Sequence, residues 1–120
     1  MKRIIISGGR DFNNSKLFED SVNGVLWMLG QDKYTIITGA CPTGADHYGS
    51  TFAKYHNFDL EEYPADWKTH GAAGGPIRNK TMSDHADVLV AFYALSGSKG
   101  TKSMIDLAIK AGLEVHIFRY

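Results

Sequence analysis

Five short extended runs, Ile4–Ile6, Tyr34–Thr38, Asp59–Tyr63, Asp87–Phe92 and Glu114–Phe118, alternate with amphipathic stretches along this chain. Strands separated by helices pair in parallel, because each helix carries the chain back across the sheet before the next strand begins. The expected architecture is α/β: a Rossmann-like open parallel β-sheet of about five strands, flanked by helices on both faces. With 120 residues and 43% hydrophobic content, the chain suffices for one core and is expected to form a single domain over residues 1–120.

The local signals agree with that frame. Asn13, Asn14 and Ser15 offer caps to a first helix whose apolar positions, Phe18, Val22, Val25 and Leu29, recur at helical spacing. Ala45, Tyr48, Phe52 and Ala53 mark a second helix after the loop Gly39–Asp46. Asp59–Tyr63 is polar enough for an edge strand, and a long glycine-rich loop follows from Pro64 to Pro76. Pro76 suits the first turn of a third helix running to about Ala86. The nearly continuous apolar run Asp87–Phe92 reads as the centre of the sheet. Thr101 is the expected cap of a last helix carrying Met104, Ile105, Ala108 and Ala111, with Gly112 placed to end it.

In open parallel sheets, ligands bind outside the carboxyl ends of the strands, where strand order reverses. The loops leaving the first, second and fourth strands carry Gly8 and Gly9, Gly39 and Gly44, and Gly97 and Gly100. Each leads into a helix, whose first-turn amides and dipole favour an anion. None matches the dinucleotide pattern G-x-G-x-x-G or the P-loop pattern, so ordinary NAD binding and ATP hydrolysis lose weight. The alternative is that these glycines only turn the chain.

Composition weighs against other classes. Lys plus Arg and Asp plus Glu both number 13, giving a net charge of +0, and neither a membrane partner nor a nucleic-acid partner is expected from such a balance. The five histidines are scattered, so no metal and no cofactor is expected. A single cysteine, Cys41, with no apolar run long enough to span a bilayer, reads as a cytoplasmic protein.

Several runs together carry a resemblance: Gly8-Gly9-Arg10-Asp11-Phe12, Thr38-Gly39-Ala40 through Thr43-Gly44-Ala45-Asp46, Pro64-Ala65-Asp66-Trp67, Gly74-Gly75-Pro76-Ile77-Arg78-Asn79 with Met82, and Ala86-Asp87 through Ala91-Phe92 to Gly100-Thr101. In this order, over nearly the whole chain, they resemble the YspA-like, cpYpsA-related branch of the SLOG superfamily. The resemblance implies a Rossmann-like fold that binds a nucleotide or nucleotide-derived phosphate ligand, with homodimers common among relatives. The superfamily also includes the LOG phosphoribohydrolases, which release a base from a nucleoside monophosphate using an arginine and a glutamate. Arg78 falls at the matching arginine, where it is catalytic only if this protein is a hydrolase, and Gly100-Thr101 falls at their Gly-Thr. Their glutamate position is Met104 here. Asp106 lies roughly 200° further around the helix and should not present its carboxylate at the same place.

The binding candidates follow from residue chemistry and this resemblance. Arg78 suits a phosphate or carboxylate clamp, its alternative being a surface ion pair. Asn79 adjoins it. Asp46 suits a ribose hydroxyl, or is a first-turn acid complementing the helix dipole, and Asp11 is open to the same two readings. Arg10 and Thr43 flank glycine turns, and Thr101 suits a phosphate oxygen better than Lys99 does. Trp67 suits stacking on a base, or anchoring its loop. The leading expectation is a binding or sensing module. The alternative is a phosphoribohydrolase in which Asp11, Asp46 or Asp106 replaces the missing glutamate, and handling of single-stranded DNA, as in the more distant DprA relatives, is a third.

Overall fold

The computed structural model describes all residues from Met1 to Tyr120. Strands β1 (Lys2–Gly8), β2 (Tyr34–Thr38), β3 (Asp59–Glu62), β4 (Val88–Tyr93) and β5 (Glu114–Arg119) form one sheet in the order β3-β2-β1-β4-β5. Every pairing is parallel. The connecting helices are α1 (Ser15–Leu29), α2 (Gly44–Tyr55), the single turn α3 (Trp67–His70), α4 (Gly74–Asp84) and α5 (Lys99–Lys110). The chain builds outward from β1 to β3 and then returns to lay β4 on the other side of β1. That reversal leaves a crevice between the carboxyl ends of β1 and β4.

The period of two in the strands decides which helix packs where. Ile4, Ile6, Ile36, Val88, Val90 and Phe92 face α1 and α2, meeting Phe18, Val22, Val25 and Phe52 in one core. Ile5, Ile37, Leu89 and Ala91 face the opposite way, meeting Met82 of α4 and Met104, Ile105 and Ala108 of α5. All three isoleucines of β1 have no exposed surface, which requires helices on both faces.

Four sequence expectations need correction. The central strand is β1 and not β4. Both are interior and covered on both faces, so an apolar run cannot tell them apart; the connection order does. The stretch Pro64–Pro76 is not a plain loop, since it holds α3, a 3-10 turn at Gly71–Ala73 and the start of α4. Asp66 nucleates α3 by accepting the Thr69 amide at 3.0 Å, a local device with no hydrophobic period to reveal it. Helix α4 begins at Gly74 and ends at Asp84, two residues before Ala86. Pro76 is its third residue, still within the first turn, where a missing N–H breaks no helical bond. Finally, α5 is capped by Ser98, whose hydroxyl accepts the Thr101 amide at 3.3 Å. Thr101 therefore stands inside the helix and is 3% exposed. Asn14 caps α1 through the Leu17 amide at 3.0 Å, and Gly112 ends α5 at φ 80°, as the sequence suggested.

Candidate functional site

The carboxyl ends of β1 and β2 and the first turns of α4 and α5 enclose a cleft of about 910 Å³. Its floor depends on two loops locked together. The Gly9 carbonyl accepts the amides of Phe12 at 3.2 Å and of Ala45 at 3.3 Å, tying the loop after β1 to the first turn of α2. Gly44 sits at φ +71°, and a Cβ there would collide with the Gly9 carbonyl and stand 2.7 Å from the Arg10 α-carbon. Only glycine permits both the left-handed turn and the approach. Gly8 is equally confined, since a Cβ would lie 2.6 Å from the Phe92 carbonyl oxygen of the neighbouring strand.

Arg78 enters the cleft from α4. Its Nη1 donates to the carbonyls of Gly39 at 2.6 Å and Tyr63 at 3.3 Å, while Nε donates to Asn79 Oδ1 at 2.9 Å. Nη2 has no protein partner. Burial pulls the Arg78 pKa below its ordinary range, with nearby Asp46 opposing that shift. Asn79, 5% exposed, extends the arrangement to α5 by donating Nδ2 to the Gly100 carbonyl at 3.4 Å. The first turn of α5 and the guanidinium are thus held in one frame.

Asp46 faces Arg78 across Gly39 but makes no ion pair with it. Its Oδ2 accepts the Cys41 amide at 3.2 Å, and burial raises its pKa despite that bond and the two arginines nearby, Arg78 and Arg10. Asp11 is exposed, and its Oδ1 accepts the Tyr120 hydroxyl at 2.7 Å. Burial, then the bond to Asp11, pushes the Tyr120 phenol up to about 12. Trp67 opens α3 with its ring edge 2.9 Å from where a Cβ of residue 75 would stand; it lines the cleft and is 48% exposed. Thr101 also lines the cleft.

Most sequence-derived candidates therefore share one cavity: Gly8, Gly9, Arg10 and Asp11 from the first loop, Gly39, Thr43 and Asp46 from the second, with Trp67, Arg78, Asn79, Gly100 and Thr101. Gly44 lies beneath it, holding the two loops together. Gly97, at φ +88°, turns the chain ahead of α5 and does not line it. Ser98, Lys99 and Ser103 do line it. Ser98 is of capping type, as is Thr101 three residues on, so residue type alone did not single it out; Ser103 comes inward only through the phase of α5.

Two features bear on hydrolysis. Met104 is fully buried among Ile5, Leu89 and Ala108, so its position looks into the core. Asp106 does not line the cleft and is paired with Lys102 at 2.7 Å on the outer face of α5. The carboxylates that line it are Asp11 and Asp46. No three His, Cys, Asp or Glu side chains gather as metal ligands, and no helix is long and apolar enough to cross a membrane.

The model of a family described as YspA, cpYpsA-related SLOG matches residues 2–70, which run from β1 through α3. The Gene 61 protein of Mycobacterium phage D29 is 31% identical over 121 residues, covering 96% of this chain and 94% of that protein. The second similarity extends past the family match to the helices that bear Arg78 and Thr101.

Proposed function

Because the chain belongs to the YspA, cpYpsA-related SLOG family, we propose that its cleft binds a nucleotide or nucleotide-derived phosphate ligand. Family membership supports a nucleotide-related binding or processing role in general. The finer reading rests on Arg78: a half-buried guanidinium with Nε and Nη1 engaged and Nη2 free, joined through Asn79 to the first turn of α5. A phosphate beside that turn meets the guanidinium, the Thr101 hydroxyl, the Lys99 ammonium and the helix dipole together. The half-exposed Trp67 then suits stacking on the base.

Thermal shift against nucleoside mono-, di- and triphosphates, cyclic nucleotides, NAD, ADP-ribose and ribose 5-phosphate tests this, with products followed by chromatography. A ligand at about a hundred times its dissociation constant adds roughly 2.7 kcal/mol, enough to move the midpoint by several degrees. We expect a shift with the ligand recovered intact, and no shift across the whole panel would remove the reading. The hydrolase alternative draws support from Asp46, whose raised pKa beside Arg78 suits a proton donor. Free base that appears with the wild type and disappears in Arg78→Ala would make it the better description.

A further inference from the structure

The two cleft carboxylates look interchangeable in sequence, yet their surroundings differ. Asp46 is 8% exposed, and its Oδ2 is committed to the Cys41 amide at 3.2 Å. The same oxygen lies 2.8 Å from where a Cβ of residue 39 would stand, so this carboxylate shapes the loop after β2. Asp11 is exposed on the loop after β1, with Oδ1 held by the Tyr120 hydroxyl at 2.7 Å and Oδ2 making no hydrogen bond within the protein.

Tyr120 is well placed to hold Asp11. Its amide donates to the Tyr93 carbonyl at 3.4 Å, and its carbonyl accepts the Leu95 amide at 2.7 Å. Its ring packs edge-on against Phe12, with centroids 5.0 Å apart and planes at 78°. The hydroxyl fills the volume that a Cβ of residue 9 would need, so Gly9 admits this contact and any other residue would expel it. A phenol anchored beside the last strand thus fixes one oxygen of a cleft-lining carboxylate and leaves the other available.

Resting on the nucleotide-binding reading, we propose that Asp11 recognises the sugar by accepting a ribose hydroxyl through Oδ2, and that Tyr120 is its positioning residue. The ligand class narrows accordingly. An ionised carboxylate only accepts hydrogen bonds, so it selects a free hydroxyl and disfavours both a deoxy sugar and a sugar phosphorylated at that position. Because Asp11 is exposed, water can serve it when the hydroxyl is missing, and the discrimination should be about tenfold rather than thousands.

Calorimetric titration with ribonucleoside mono- and diphosphates and their 2′-deoxy and 3′-deoxy counterparts tests the assignment in the wild type, Asp11→Ala and Tyr120→Phe. The wild type should prefer a ribonucleotide over one of its deoxy counterparts by about tenfold. The preference should vanish in Asp11→Ala and shrink several-fold in Tyr120→Phe, which keeps the ring against Phe12. A general loss of stability would not move that ratio. Equal affinity for ribo and deoxy ligands in the wild type, or a preference that survives Asp11→Ala, would overturn the sugar assignment and leave nucleotide binding intact. Failure of every nucleotide to bind would overturn both.

Discussion

Two arginines, one near each end of the sheet, have opposite surroundings. At the start of β1, Arg3 donates to both carboxylate oxygens of Glu61, at 2.9 and 2.6 Å, and to the His85 carbonyl. The Glu61 bond lifts the Arg3 pKa and, reciprocally, holds the Glu61 carboxyl below its ordinary range. At the other end, Arg78 is bonded to carbonyls and an amide, makes no ion pair, and has its pKa pulled down by burial. One guanidinium is consumed by the fold. The other retains a charge and a donor that the fold does not use, and the proposed binding of an anionic ligand rests on that difference.

The largest effect that would sharpen this contrast is on binding. Arg78→Ala should weaken nucleotide affinity by about a hundredfold, in line with the roughly 2–5 kcal/mol that truncating a buried charge partner costs. Calorimetry on Arg3→Ala should give an affinity within about twofold of the wild type. Equal losses in the two variants would break the comparison. Gly39→Ala comes next. Its Cβ would collide with Arg78 Nη1 and stand 2.8 Å from Asp46 Oδ2, displacing the clamp without removing it. A loss of about tenfold in affinity is expected, since overpacking of this kind costs roughly 1–3 kcal/mol.

Acid titration of stability separates two carboxylates of opposite sign. Glu61 has a depressed pKa in the folded state, so its contribution is present above the unfolded value of about 4.3 and is lost as pH falls through the folded one. Asp46 has a raised pKa, so the folded state binds its proton more tightly, and stability falls as pH rises from about 3.9 through the folded value. Urea denaturation between pH 3 and 7, run on Glu61→Gln and Asp46→Asn, should remove one slope each, in opposite directions. The smallest expected effect is the stability loss in Arg3→Ala, about 1 kcal/mol or less, because both partners are about a third exposed and solvent screens them.

Part of this architecture was readable in advance because it rests on short-range rules. The alternating runs announced a parallel sheet, Asn14 and Gly112 behaved as caps in place, and the period of α1 identified the face carrying Phe18, Val22 and Val25. The cleft candidates were legible for a related reason: in a parallel sheet every strand-to-helix loop opens at the same edge, so the glycine loops after β1 and β2 had to share that edge, and the strand order made them neighbours. Helix α3 escaped notice because one turn has no period. Ser98 was passed over for Thr101 as the cap because both are good capping residues three apart, and only the extended backbone of Ser98, at φ −160° and ψ 123°, tells which one precedes the helix.

By itself, then, the order of residues determined the class of fold, the edge at which the loops gather and the chemical character of the groups there, since these depend on periodicity and on residue type. The centrality of β1, the commitment of Asp46 to its own loop, the Tyr120 hydroxyl over Gly9 and the burial of Met104 were decided only by the tertiary structure. Each arises from contacts between segments far apart in the chain, where the partner that takes up a hydrogen-bonding group is set by packing geometry and leaves no local trace.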